Sequence, residues 1–206
     1  CGFGYVCSGT QTGDAANVFY LDDIRFVGRI ESLKTAPVLL RSYETDNIYI
    51  QNAAFSYDNA LAAMAFLSEG MQDEAGQILD AFAYAVEHDR YEPGRVRNAY
   101  AAGSIEAFPG WESGARLPGW YDPETGETGT WYEDRYQVGS NVGNTSYVAL
   151  ALLQYDALYG SEAYRKTAET LMDWVIDTCS DGSPGFVAGY DGWPEGKTPT
   201  VYPFTY

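Results

Sequence analysis

Two stretches of this chain leave almost no polar face. They are Ala54 to Leu67 (Ala-Phe-Ser-Tyr-Asp-Asn-Ala-Leu-Ala-Ala-Met-Ala-Phe-Leu) and Val148 to Leu153. A helix apolar nearly all round must be covered on all sides. Each stretch is followed by one with a single apolar stripe. Met71, Ala75, Ile78, Leu79, Phe82 and Val86 fall at helical spacing, with Asp73, Glu74, Gln77 and Asp80 between them. Tyr164, Thr167, Ala168, Leu171, Met172 and Val175 form the same kind of stripe. The pattern predicts two helical hairpins, each pairing a buried helix with a half-buried one. Such alternation implies two concentric layers, with an active site left to the loops at one end.

The punctuation between these stretches sets the expected boundaries. A first helix spans about 52–69 and ends at Gly70, which caps it before a second helix at 71–88. A third starts near Asn144 or Thr145, either of which can cap it, and stops at Gly160. Ser161 caps a fourth that runs to about Cys179. Residues 90–143 form one long loop rich in Gly, Tyr and Trp, and loops of that length are functional or disordered. Its aromatic content argues against disorder. Asp122-Pro-Glu-Thr-Gly-Glu-Thr-Gly reads as a hairpin tip, and 180–206 as a second aromatic loop. At the other end, residues 1–28 read as two strands around a Gly/Thr/Asp turn, and 29–47 as a linker or packed crossover. Residues 48–206 form the helical domain. The hairpins also align weakly with each other, Ala60-Leu-Ala on Ala149-Leu-Ala and Gly70 on Gly160, as in a repeat architecture.

Charge and composition narrow the partners. The chain has 29 acidic and 12 basic residues, a net charge of -17, which repels phosphate backbones and anionic lipid. Nucleic acid and membrane surfaces are therefore not expected partners, and no apolar run is long enough to span a bilayer. Eighteen Tyr and five Trp offer flat apolar faces with polar edges, complementary to the C–H faces and hydroxyl rims of sugars. The single histidine, His88, excludes a His-rich metal centre and argues against chemistry built on a His triad. Cys1 and Cys7 lie too far apart on an extended strand to bond without a turn. Gly2 and Gly4 allow one; free thiols fit as well. The chain has neither an initiator Met nor a signal peptide, so it reads as a mature product or a fragment.

Two resemblances follow from particular residues. Asn17-Val-Phe-Tyr-Leu-Asp-Asp-Ile-Arg-Phe26 resembles the closing strand of a galactose-binding-like β-sandwich, a jelly-roll carbohydrate-binding module. That resemblance implies a structural calcium held by Asp22 and no cofactor for catalysis. Tyr57-Asp-Asn-Ala-Leu-Ala-Ala, Gly143-Asn-Thr-Ser-Tyr-Val-Ala-Leu-Ala-Leu and Gly185-Phe-Val-Ala-Gly-Tyr-Asp-Gly-Trp resemble the six-hairpin glycosidase superfamily. Its (α/α)6 toroid often follows a sugar-binding sandwich in extracellular bacterial proteins. The expected fold is thus mainly α: part of such a toroid, preceded by a short β-hairpin from the sandwich module.

Glycoside hydrolysis needs a carboxylic acid and a carboxylate flanking the bond. Asp58 is the expected catalytic carboxylate, at the start of a buried helix with no basic residue close in sequence. A local role, favoured by the helix dipole, is the competing reading. Tyr57, Trp111, Trp131, Tyr132 and Trp193 are candidate stacking platforms or sugar contacts. Glu112, with Glu133 and Asp134, is a candidate partner carboxylate at the substrate, Asp191 and Glu195 are candidate hydroxyl partners, and Asn144 is a further substrate-binding candidate. Arg95, with Arg97 in Gly-Arg-Val-Arg-Asn, could grip a uronic acid carboxylate or pair with local acids. No phosphate loop, nucleophile elbow or zinc spacing occurs. The expectation is a secreted carbohydrate-active protein, extracellular or periplasmic, acting as a glycoside hydrolase. The alternative is a non-catalytic polysaccharide-binding or assembly subunit. A lyase would need a Tyr/His/Arg constellation that His88 is poorly placed to supply.

Overall fold

The computed structural model describes residues 37–47, 50, 52–89, 91–105, 135–182 and 184–192, and the backbone of short strands at 119–121, 128–131 and 198–199. Most of what it describes is helical, joined by small antiparallel strand pairs. The expected sandwich end at 1–28 and residues 29–36 of the 29–47 stretch lie outside the described residues.

The two hairpins are present. The first joins α1 (Ser56–Ser68) to α2 (Gln72–Glu87), and the second joins α3 (Val142–Tyr159) to α4 (Glu162–Cys179). Gly70, at φ 71°, ends α1 in a paired motif: its N–H reaches the Leu67 carbonyl and the Met71 N–H reaches Phe66. The Ser161 hydroxyl accepts from the Tyr164 N–H and caps α4. Replacing Ser161 by Ala is expected to cost about 1 kcal/mol in urea unfolding. A loss below a few tenths would show that the cap is idle.

The helix starts differ from expectation. Residues 53–55 are a strand, β1 (Ala53–Phe55), that runs directly into α1. Likewise β3 (Ser140–Asn141) runs into α3, so neither Asn144 nor Thr145 is its cap. The reason is pairing. β1 lies antiparallel to β2 (Ala99–Ala101), and β3 to β4 (Gly189–Asp191). In each unit the strand entering the hairpin pairs with the strand leaving it. The first helical N–H is used alike in both: Ser56 donates to the Asn98 carbonyl, Val142 to that of Ala188. The fold is therefore an internal repeat, strand–helix–helix–strand. The 90–143 region is not one irregular loop. It holds β2, the antiparallel strands at 119–121 and 128–131 around the expected tip, and a short helical turn at Arg135–Val138. The described part of 29–47 is packed, not a free linker: Val38 and Leu39 are buried and pair with Gly103–Ser104.

One core unites the four long helices. α1 packs on α2 and α3, and α3 on α4. Ile78, Leu79, Phe82, Leu152 and Leu171 are fully buried in it. The Tyr164 hydroxyl donates to Asp80 at 2.7 Å and ties α4 to α2. Burial, then this bond to Asp80, pushes the Tyr164 pKa upward. Coverage is not all round, however. Val148, Ala149, Ala151 and Leu152 are buried, but Leu150 is 51% exposed and Leu153 40%. The described neighbours of α3 cover one broad face and leave an apolar edge open.

Candidate functional site

The strand-to-helix junctions of both repeats lie at the same end of the molecule. Asn98, fully buried just before β2, joins them. Its carbonyl accepts from Ser56, the first residue of α1. Its side-chain Oδ1 accepts from the Asn141 N–H at 3.0 Å and from Asn144 Nδ2 at 2.7 Å. Its Nδ2 donates to the Tyr136 carbonyl at 2.8 Å, and its N–H to Gly139. One buried amide thus sets the starts of α1 and α3 against each other. Neither start carries a side-chain cap. Each presents the positive end of a helix dipole.

Around this point stand exposed tyrosines. Tyr57 and Tyr147 meet edge to face, ring centres 4.7 Å apart. Tyr43 and Tyr136 flank Phe55 at 5.6 and 6.3 Å. All four tyrosines are 36–43% exposed. The side chain of Asp58, half-buried in the first turn of α1, makes no hydrogen bond or ion pair among the described residues. Asn144, also half-buried, has one side-chain hydrogen bond among them, through its amide nitrogen to Asn98. Asp191, at the end of β4, belongs to the same end: β4 pairs with β3, and Gly192 donates to the Arg135 carbonyl beside Tyr136.

The structure therefore gathers Tyr57, Asp58, Asn144 and Asp191 at one end. It does not bring Arg95 to that surface. Arg95 is 3% exposed. It donates to the Val138 carbonyl and the Ser140 hydroxyl, both at 2.8 Å, and pairs with Asp89 and Glu92. Arg97 is buried on the same Asp89 carboxylate, under the Tyr91 ring. Asp89 Oδ1 also accepts from the N–H groups of Tyr91 and Glu92. In so acidic a chain the two guanidiniums are consumed inside, where they bind the 89–98 turn to β3. Trp111, Glu112, Tyr132, Glu133, Asp134, Trp193, Glu195 and Asp22 lie outside the described residues, as does the side chain of Trp131. Among the described residues no group of three His, Cys, Asp or Glu is placed to hold a metal ion, and no helix is long and apolar enough to cross a membrane.

Asn98, Tyr136 and Tyr147 were not singled out from sequence. One signal was available for Tyr147. Ser56-Tyr57 and Ser146-Tyr147 each precede a helix-ending glycine by the same interval, so the repeat sets the two rings side by side. Comparison with known protein families, curated proteins and solved structures finds no match for this chain.

Proposed function

We propose that this protein is carbohydrate-active, that the shared end of α1 and α3 is its saccharide-binding face, and that its reaction is hydrolysis of a glycosidic bond. The observation that carries this reading is the set of half-exposed tyrosines around two polar side chains, Asp58 and Asn144, that have acceptor capacity to spare. Sugars present apolar C–H faces to rings and hydroxyls to such acceptors. The wider architecture we propose is part of an (α/α)6 toroid. The open edge at Leu150 and Leu153 is where a further hairpin of the same kind would pack. A secreted location, extracellular or periplasmic, belongs to the same reading.

In the hydrolytic mechanism one carboxylic acid protonates the leaving oxygen, while a carboxylate activates water or attacks the sugar. Asp58 takes one of these roles, and Asp191, at the same end of the fold, is the candidate for the other. Asp58→Asn is expected to lower reducing-sugar release from the susceptible polysaccharide by about 100-fold or more, with an unchanged circular dichroism spectrum. Full activity in that variant removes Asp58 from the chemistry. The openness of the tyrosine face favours a second reading, non-catalytic polysaccharide binding. Retardation in polysaccharide-containing gels without any sugar release would select it.

A further inference from the structure

We infer that the ligand of this face is a neutral saccharide, not a uronate. The inference rests on the carbohydrate reading above and names its substrate class. Asn98 decides the orientation of Asn144. Because Asn98 Oδ1 accepts the backbone N–H of Asn141, only the NH2 side of Asn144 can face it. Asn144 Oδ1 is therefore the atom left to meet a ligand, and it can only accept. Asp58, when ionised, can also only accept. Tyr147 lies one helical turn beyond Asn144, on the same side of α3, and its ring abuts Tyr57, the residue before Asp58. Asn144 Oδ1 and the Asp58 carboxylate thus ask for hydroxyl donors.

Among the described residues, the two arginines of Gly-Arg-Val-Arg-Asn are spent elsewhere. Arg95 and Arg97 are both buried on Asp89, on the inner side of the turn. The chain's net charge of -17 adds a field that opposes an anionic ligand. A carboxylate set beside Asp58 would meet like charge, which disfavours the wrong partner strongly.

The test is calorimetric titration of the full chain with matched oligosaccharides that differ only at C6. The pairs are gluco- and glucurono-, galacto- and galacturono-, and manno- and mannurono-oligosaccharides. The expected result is binding of at least one neutral member, with its uronate partner weaker by about tenfold or more. Asn144→Ala should weaken the neutral ligand by about tenfold while leaving the melting temperature within a few degrees. Equal or tighter binding of the uronate overturns this inference and leaves the carbohydrate reading standing. Binding of no oligosaccharide overturns the carbohydrate reading and this inference with it. Because the neutral and uronate comparison uses the unmodified protein, it stands even if the variant fails to fold.

Discussion

Replacing Asp89 by Ala is expected to destabilise the protein by about 3–5 kcal/mol, measured by urea unfolding at neutral pH. The carboxylate faces Arg95 and Arg97, which are 3% and 1% exposed. Removing it takes the shared carboxylate from two buried guanidiniums and leaves Arg95 the longer pair with Glu92 at 3.8 Å. It also removes the acceptor for the Tyr91 and Glu92 N–H groups. The desolvation cost of the arginines then falls largely uncompensated on the folded state. A loss under about 1 kcal/mol would show that water reaches this network and that the pairing contributes little. The same network sets a pH dependence. Burial alone would raise the Asp89 pKa, but the Arg97 hydrogen bond and charge, with the Arg95 charge, hold it below its usual 3.8. A carboxylate depressed in the folded state contributes stability above its unfolded pKa and loses it as pH falls through the folded value. The contribution of Asp89 should therefore persist down to about pH 4 and fade only on further acidification. Stability curves of the wild type and Asp89→Ala should converge in strong acid. Curves that stay parallel there would count against the assignment.

Gly189→Ala is expected to cost about 3 kcal/mol or more and to release the strand that carries Asp191. Gly189 has φ 132°, a conformation that L side chains rarely adopt. A Cβ there would lie 2.7 Å from Asn141 Cα and closer still to the Ser140 carbonyl oxygen. Those are backbone atoms of β3, so no rotamer change relieves the clash. The β3–β4 pairing would have to open, and the start of α3 would lose the carbonyl of Ala188. Saccharide binding should fall together with stability, because Asn144 sits on the same helix start. Hydrogen exchange would show early opening confined to 140–142 and 188–191. A variant as stable as the wild type would mean that this pairing does not hold the second repeat closed.

How far the chain could be read beforehand depended on the range of the interactions. Gly70, Gly160 and Ser161 act within one or two turns of themselves, and each ends or starts a helix where expected. The stripe from Ala75 to Val86 is buried as its period requires. The starts of α1 and α3 could not be placed in this way. Ala53–Phe55 continues the apolar pattern of the helix after it, and only pairing with residues 99–101 makes it a strand. Arg95 is a similar case. Its sequence neighbours suit either a ligand grip or an internal ion pair, and the choice lies with Asp89 and the carbonyl of Val138, 43 residues away. Asn98 gave no local signal at all, since its partners at 136, 141 and 144 come from the far repeat.

By itself, then, the order of apolar and polar residues determined two helical hairpins, their turns, and which stripe of each outer-type helix goes inward. Those outcomes follow from period and capping, which act over a few residues. The tertiary structure decided where strands hand over to helices, that both arginines are locked inside, and that Tyr57 and Tyr147, Asp58 and Asn144 share one end. Those outcomes depend on hydrogen bonds and charges between segments far apart in the chain, and no local window contains both partners.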